Sequence, residues 1–391
     1  MGQRRGRRRA SNVARLVTRQ ETALADKVRF VNPGKLYQQL KPELDAAYFK
    51  VMESGNLIDR QELWSFEENL ARAVGTRFAV GLNSGYDALH MSLRAAGIGP
   101  GDEVIVPAHT FVATASAVVN VGARPVLVDV NADFNLNVEQ IEAAISKRTR
   151  AIIPVHLNGR MADMPSVMEI AEKHDLVVVE DACQSLGASQ DGKKAGSWGL
   201  TGCWSFYPFK ILGGYGDGGA ITTNDPEVAT FARRMRFNGE DRQTGEYHGH
   251  GFTCLLDNLQ AAFLDVKLAH LPEWIDRRQR IAARYREAFK DLDGLALPHF
   301  DDERRDVFQN YVVRSKQGDA FSDFLRAHGI EVLVQWRKPY YRHAALQLDD
   351  RGFPETEALC REVCSLPMAV ELEDGEIDRV IDVVRSYYRR S

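Results

Sequence analysis

The chain has 391 residues, 44% hydrophobic and 27% charged, enough for two globular domains with sizeable cores. Its 50 Lys and Arg against 54 Asp and Glu leave a net charge of −4, which argues against a uniformly basic nucleic-acid binder. No stretch reaches the ~18 apolar residues of a membrane span.

The first twenty residues stand apart. They hold seven arginines (Arg4, Arg5, Arg7, Arg8, Arg9, Arg15, Arg19) and no acid, so the remaining 43 basic and 54 acidic side chains make the body acidic. No apolar segment follows as a secretion signal requires, and residues 1–25 are expected to be a disordered, solvated tail. The five cysteines (Cys183, Cys203, Cys254, Cys360, Cys364) are scattered and never spaced C-x-x-C, the pattern of reduced thiols in a cytoplasmic protein. No metal site is expected, because the two imidazoles of Tyr247-His248-Gly249-His250 have no third ligand at suitable spacing.

Residues 35–75 look helical and amphipathic. From Arg77 the pattern changes to short apolar runs, Phe78-Ala-Val-Gly, Glu103-Val-Ile-Val, Pro125-Val-Leu-Val, Ala151-Ile-Ile-Pro-Val and Leu176-Val-Val-Val-Glu. Helical patterns lie between them near 84–97, 109–121, 137–146 and 163–174, with Asn137 and Asp163 at N-cap positions. Continuous Val/Ile runs alternating with helices predict strands covered on both faces, hence a mostly parallel sheet. Thr201–Pro208 and Ala220–Thr223 are predicted strands joined by a Gly-dense loop with no helix, so they should pair antiparallel. Helices are predicted at 226–237, 255–270 and 273–292. Strand 307–314, helix 319–328, strand 330–335 and helices 355–364 and 374–388 then form a smaller α+β unit. The expected division is a large domain over 26–270 and a small C-terminal domain over 271–391.

Gly214-Tyr-Gly216-Asp-Gly-Gly219 matches G-x-G-x-x-G, but that dinucleotide motif needs a helix opening at its end. Here Ala220-Ile-Thr-Thr continues as a strand, so nicotinamide-dinucleotide binding is rejected. The glycines instead suit close backbone approach or a tight hairpin.

Four features fall at predicted strand ends, where open α/β sheets bind ligands. Asn83-Ser84-Gly85-Tyr86-Asp87 joins a strand to a helix and can offer free N–H groups to a phosphate, or simply cap the helix. Glu180-Asp181-Ala-Cys183-Gln184 ends an apolar strand with carboxylates. Asp181 can partner a protonated ring nitrogen or serve as a loop acid, and Gln184 can approach the same ligand. Ser205-Phe-Tyr-Pro-Phe-Lys210 sets a lysine between aromatics and glycines, the setting of a Schiff-base amine as well as of a surface charge. Phe111, in Pro107-Ala-His-Thr-Phe111, can stack on a flat ligand or pack into the core. Together they describe one ligand, planar, phosphorylated, carbonyl-bearing and protonatable: pyridoxal 5′-phosphate.

In order and spacing the chain resembles the DegT/DnrJ/EryC1/StrS family of pyridoxal-phosphate-dependent sugar aminotransferases. The matching segments are Asn83-Ser-Gly, Gly101-Asp-Glu-Val-Ile-Val-Pro with Thr110-Phe111, Pro154-Val-His-Leu-x-Gly, Glu180-Asp-Ala-x-Gln, Gly192-x-x-x-Gly, Ser205-Phe-Tyr-Pro-x-Lys210, Gly216-Asp-Gly-Gly and Leu259-Gln-Ala-Ala. The resemblance runs from about residue 35 to the C-terminus.

It implies a fold type I pyridoxal-phosphate transferase, with a mostly parallel central sheet in a large domain and a smaller C-terminal α+β domain. It also implies a homodimer with shared active sites. By position, Lys210 would be the Schiff-base lysine and proton shuttle, and Asp181 would pair with the ring nitrogen. Phe111 would stack on the ring with Gln184 nearby, and Ser84, Gly85, Tyr86 and Ser205 would hold the phosphate. The implied reaction moves an amino group, typically from L-glutamate, to a nucleotide-linked keto-sugar in amino-sugar biosynthesis. Lys210 also separates the chain from family dehydratases, which carry His there.

Two segments depart from the family. Where G-[YF]-N-x-R is usual, this chain has Gly251-Phe-Thr253-Cys-Leu255, so Thr253 replaces the Asn that a neighbouring subunit lends to the phosphate. Gln335-Trp336-Arg337-Lys338-Pro339-Tyr340-Tyr341 stands for H-Y-P-x-P-x-H, near the sugar nucleotide in relatives. Two alternatives stay open: an aminotransferase acting on a non-nucleotide ketone such as a keto-cyclitol, and a pyridoxal-phosphate-fold regulator without turnover.

Overall fold

The computed structural model describes residues 27–349 and 351–389; the Arg-rich segment predicted as a tail lies outside the described residues. Helix α1 (Pro33–Ser54) starts on an Asn32 side chain that accepts from Lys35 N, with Pro33 at its first turn, and stops at Gly55. Helix α2 (Gln61–Val74) buries Leu63, Phe66, Leu70 and Val74 along one stripe.

Seven strands follow: β1 (Phe78–Leu82), β2 (Glu103–Pro107), β3 (Arg124–Val128), β4 (Thr149–Ile152), β5 (Val177–Asp181), β6 (Thr201–Ser205) and β7 (Gly219–Thr223). They form one sheet in the order β1-β7-β6-β5-β4-β2-β3. Only β7 runs against its neighbours, pairing antiparallel with both β6 and β1 as the helix-free Gly loop predicts. The other pairings are parallel.

Alternation explains why the runs read as continuously apolar. Val104 and Val106 of β2 enter one core and Ile105 the other, and Val179 and Val178 of β5 divide in the same way. Helices α3 (Gly85–Ala95), α4 (Val112–Asn120), α5 (Met164–Lys173) and α6 (Pro226–Met235) fall where the sequence placed them. The predicted caps hold: Asn137 accepts from Glu139 N and Asp163 from Ser166 N. Each fully buried Val, Leu or Ile in these layers contributes about 1.5–3 kcal/mol relative to exposure.

Helix α7 (Asn258–Phe289) corrects a prediction. Pro272 was expected to separate two helices, yet the helix continues through it for 32 residues. Leu268, Leu271, Trp274 and Ile275 are buried around the proline, and that packing outweighs the lost backbone bond. The expected domain division after residue 270 falls inside this helix. Its first half packs on the main sheet through Leu264 and Leu268, and its second half on another core through Ile281, Tyr285 and Phe289.

That further core holds an antiparallel sheet of β8 (Leu295–Ala296), β9 (Tyr311–Ser315) and β10 (Val363–Leu366). Helices α8 (Gly318–Ala327), α9 (Pro354–Glu362) and α10 (Asp374–Tyr388) accompany it. Two expectations fail here. Residues 330–335 make only single bridges, Ile330 to Val28 and Leu333 to Ser365. The predicted helix 355–364 stops at Glu362, and Val363–Leu366 form a strand instead. Among the described residues no helix is long and apolar enough to cross a membrane.

Candidate active site

The site is built at the C-terminal ends of β5 and β6, which lie side by side with Asp181 opposite Cys203. Successive residues of a strand face opposite sides. Glu180 therefore faces the α5 side, wholly buried, and accepts from His156 Nε2 (3.0 Å), Gly196 N (2.8 Å), Trp198 N (2.7 Å) and Gly199 N (2.9 Å). His156 Nδ1 accepts from Ala162 N (3.1 Å), so its proton lies on Nε2 and points at Glu180. Asp181 faces the α4 side. Thr114 Oγ1 donates to its Oδ2 (2.8 Å) and Cys183 N to its Oδ1 (3.3 Å).

After Ser205 the chain buries Phe206 and turns back, with Lys210 N donating to Tyr207 O (2.8 Å). Burial pushes the Lys210 amine below its usual 10.5, while the charges of Cys183 and Asp181 work against that shift. Lysine and aspartate thus share one electrostatic environment. Lys210 Nζ has no hydrogen-bond partner among the described residues. Gln184, Tyr207, Phe209, Lys210, Gln309 and Asn310 line a cleft of about 650 Å³, with Lys27, Phe30 and Leu333 also on its wall. That size suits a small molecule.

Gly85 marks where α3 meets this edge. A Cβ there would come within 2.8 Å of both Cys183 Sγ and Ser205 Cβ, so the helix start, the β5 end and the β6 end are in contact. A Cβ on Gly219 would lie 2.2 Å from the Ser84 carbonyl carbon. The G-x-G-x-x-G segment therefore lets β7 approach the helix start and opens no helix of its own. The Ser84 hydroxyl is used as a cap, accepting from Asp87 N (3.1 Å) and donating to Asp87 Oδ2 (2.7 Å). The main-chain N–H groups of Gly85 and Tyr86, which lack intrahelical partners, are what remains for an anion. The Tyr86 ring turns away to stack on His90, and its hydroxyl accepts from Asn120.

Phe111 is 55% exposed at the N-cap of α4, with its ring against Trp336 (centroids 6.4 Å, 30°). Trp336 adopts φ 48° and meets His109 at 5.3 Å. Arg337, beside it, is spent on the carbonyls of Cys360, Arg361 and Val363 at the end of α9. Thr253 is exposed and donates to Asn238 (3.1 Å); none of its hydrogen bonds within the chain goes to the Lys210 cluster. Thr114, Gln309 and Asn310, which complete the surroundings, were not singled out from sequence. Their only signal is position in space, since each reaches the site from a different segment.

A flat phosphorylated aldehyde fits these residues: a carboxylate answered by only two donors, a neutralisable amine, an exposed ring and a helix start with two main-chain N–H groups to spare meet at one sheet edge. Sheet order, the antiparallel β7 and this edge define a pyridoxal-phosphate-dependent aminotransferase of fold type I. The chain belongs to the DegT/DnrJ/EryC1/StrS aminotransferase family, whose profile matches residues 38–385. It is similar to a pleiotropic regulatory protein of Geobacillus stearothermophilus, 40% identical over 93% of this chain and 99% of that one. It is equally similar to the dTDP-3-amino-3,4,6-trideoxy-alpha-D-glucose transaminase of Streptomyces venezuelae, 40% identical over 93% and 97%. The crystal structure of S. venezuelae DesV in complex with a ketimine intermediate superposes with a TM-score of 0.91 at 40% identity, covering 93% of this chain and 99% of that one. Solved relatives at 27% and 25% identity hold the cofactor in its PMP and PLP forms.

Proposed function

We propose that the protein transfers an amino group from L-glutamate to a nucleotide-linked keto-sugar in amino-sugar biosynthesis. The observation that carries the reading is Lys210: a half-buried amine with no hydrogen-bond partner among the described residues, pushed toward its neutral form by desolvation and within the field of Asp181. Bound pyridoxal phosphate supplies an electron sink that acidifies the carbon next to the amine nitrogen. Asp181, held by Thr114 and the Cys183 N–H, is the carboxylate that would face the ring nitrogen. Phe111 would face the ring, Gln184 would border it, and the Gly85 and Tyr86 N–H groups with Ser84 and Ser205 would hold the phosphate. Lys210 takes the proton from the substrate carbon and returns it on the other side of the exchange.

The chain acts as a homodimer in this reading. Tyr48, Phe49 and Met52 expose 40%, 56% and 47% of their surface along α1, an apolar face that a second subunit can cover. Thr253, exposed on its own loop, is the hydroxyl one subunit lends to its neighbour's phosphate niche. A cytoplasmic location is supported by five free thiols.

Purified protein supplied with pyridoxal phosphate should convert L-glutamate to 2-oxoglutarate and then aminate a dTDP- or UDP-linked ketone. Preference for a free keto-cyclitol over both would support the non-nucleotide reading. The name of the Geobacillus relative keeps a regulatory role open as a second reading. Absence of any glutamate half-reaction in cofactor-loaded protein would favour it.

A further inference from the structure

From the geometry we propose that Gln309 is a positioning residue that holds Lys210 in register for its reaction, and so ties the small C-terminal unit to the active-site lysine. The proposal rests on the aminotransferase reading and names a residue it leaves unassigned.

The side-chain amide of Gln309 grips the backbone on both sides of Lys210. Its Nε2 donates to Phe209 O (2.8 Å), and its Oε1 accepts from Ile211 N (2.8 Å). Only one amide orientation satisfies a carbonyl and an N–H together, so the assignment of the two atoms follows from the partners. Residues 209–211 are therefore fixed from outside, while the Lys210 side chain keeps its amine free.

Gln309 is itself held unusually firmly. Phe308, just before it, adopts φ 50°, a left-handed conformation that bulky residues rarely take. Buried Arg278 of α7 secures that turn by donating to Phe308 O (2.9 Å) and Gln309 O (3.4 Å). Opposite, Gly159 at φ 91° lies so close that a Cβ would sit 2.6 Å from Gln309 N. Neighbouring Asn310 donates to Asn158 Oδ1 (3.1 Å), and Asn158 N donates to Gln184 Oε1 (2.9 Å). One short segment between α7 and β9 thus meets both the lysine loop and the Gln184 loop. The strain at Phe308, the buried arginine and the close-packed glycine all aim the same amide at the same two backbone groups.

The test compares full-length wild-type protein with Gln309→Ala and the near-isosteric, uncharged Gln309→Met. In cofactor-free protein, Lys210 acylation is followed by mass spectrometry from pH 6 to 10, with exposed Lys338 as internal control. Loosening the loop admits water to the amine, so the labelling midpoint of Lys210 should rise by about one pH unit while Lys338 is unchanged. Pyridoxal phosphate capture at Lys210, read after borohydride reduction, should slow about tenfold, and kcat should fall about tenfold with KM for glutamate within about twofold. Gln309→Met keeps the length and bulk of the side chain and adds no charge, but it can neither donate to Phe209 O nor accept from Ile211 N. It should move Lys210 in the same direction with folding preserved, which guards against a merely unfolded Ala variant. A Lys210 midpoint and capture rate equal to wild type in both variants would reduce Gln309 to a contact between domains and overturn the proposal. Failure of the wild type itself to capture the cofactor would instead remove the aminotransferase reading, and the labelling midpoints would still decide the fate of Gln309.

Discussion

Glu180 and Asp181 are adjacent acids at the end of one strand, and the pleat gives them different fates. Glu180 is saturated by four donors from its own chain, three of them backbone N–H groups of the 196–199 turn. Asp181 receives two and interacts electrostatically with Lys210. A buried carboxylate whose lone pairs are all answered by protein is architecture, whereas one left short is available to a ligand. Sequence placed both acids at the strand end and the family resemblance singled out Asp181, but what Glu180 does depends on which face it takes and on the 196–199 turn that folds against it.

The comparison breaks most cleanly at the lysine beside Asp181. Lys210→Ala should lower turnover by at least about 10³-fold, since it removes the group that moves the proton. The fold should survive, because the amine makes no hydrogen bond that packing depends on. Pyridoxal phosphate should still bind without a covalent link, read as retention on dialysis without a borohydride-stable adduct. Turnover within tenfold of wild type would take the proton-transfer role away from Lys210.

The paired acids give the next effects. Glu180→Gln puts an NH2 where backbone donors converge, so unfolding free energy should drop by roughly 3 kcal/mol in a denaturant titration. Asp181→Asn should leave stability within about 1 kcal/mol yet slow the glutamate half-reaction by roughly 10²-fold, because a neutral amide no longer favours the protonated ring. If the Asn variant is the less stable of the two, the assignment of one acid to architecture and the other to ligand is reversed.

What sequence revealed follows the same division between local and spatial information. β2 to β5 were legible because parallel strands buried on both faces must be apolar throughout, and the β6–β7 pairing because a Gly-dense loop without a helix leaves little else. The placement of Asp181, Lys210 and Phe111 just past strand ends was legible because strand ends are where such sheets bind ligands, while their roles belong to the proposed function. Pro272 misled because burial of its neighbours, a tertiary fact, keeps the helix intact. Strand β10 was missed because Val363 continues an amphipathic helical pattern without a break. Thr114, Gln309 and Asn310 carry no signal alone: each is an ordinary polar residue whose importance comes from what folding sets beside it.

The smallest expected effect contrasts half-buried Lys210 with a fully buried lysine. Lys267 of α7 spends its amine on Gly213 O (2.6 Å) and lies over the Tyr215 ring at 3.8 Å, so unlike Lys210 it is committed to structure. Burial pushes its pKa down to about 8, with Glu371 acting in the opposite direction. In the unfolded chain the ordinary value of 10.5 returns. Between those two values the unfolded chain holds a proton that the folded protein has released, so this residue makes stability rise with pH across that window, by up to about 3 kcal/mol. Below about pH 8 both states are protonated and the contribution is flat. Lys267→Met should therefore remove that rise from the difference between wild-type and variant unfolding free energies measured from pH 7 to 10. Its kcat should stay within about threefold of wild type, since the group it holds is the loop after Lys210 and not the amine itself. A wild-type-like rise in the Met variant would assign the proton release to another group. A large loss of kcat would place Lys267 with Gln309 among the residues that set the lysine loop.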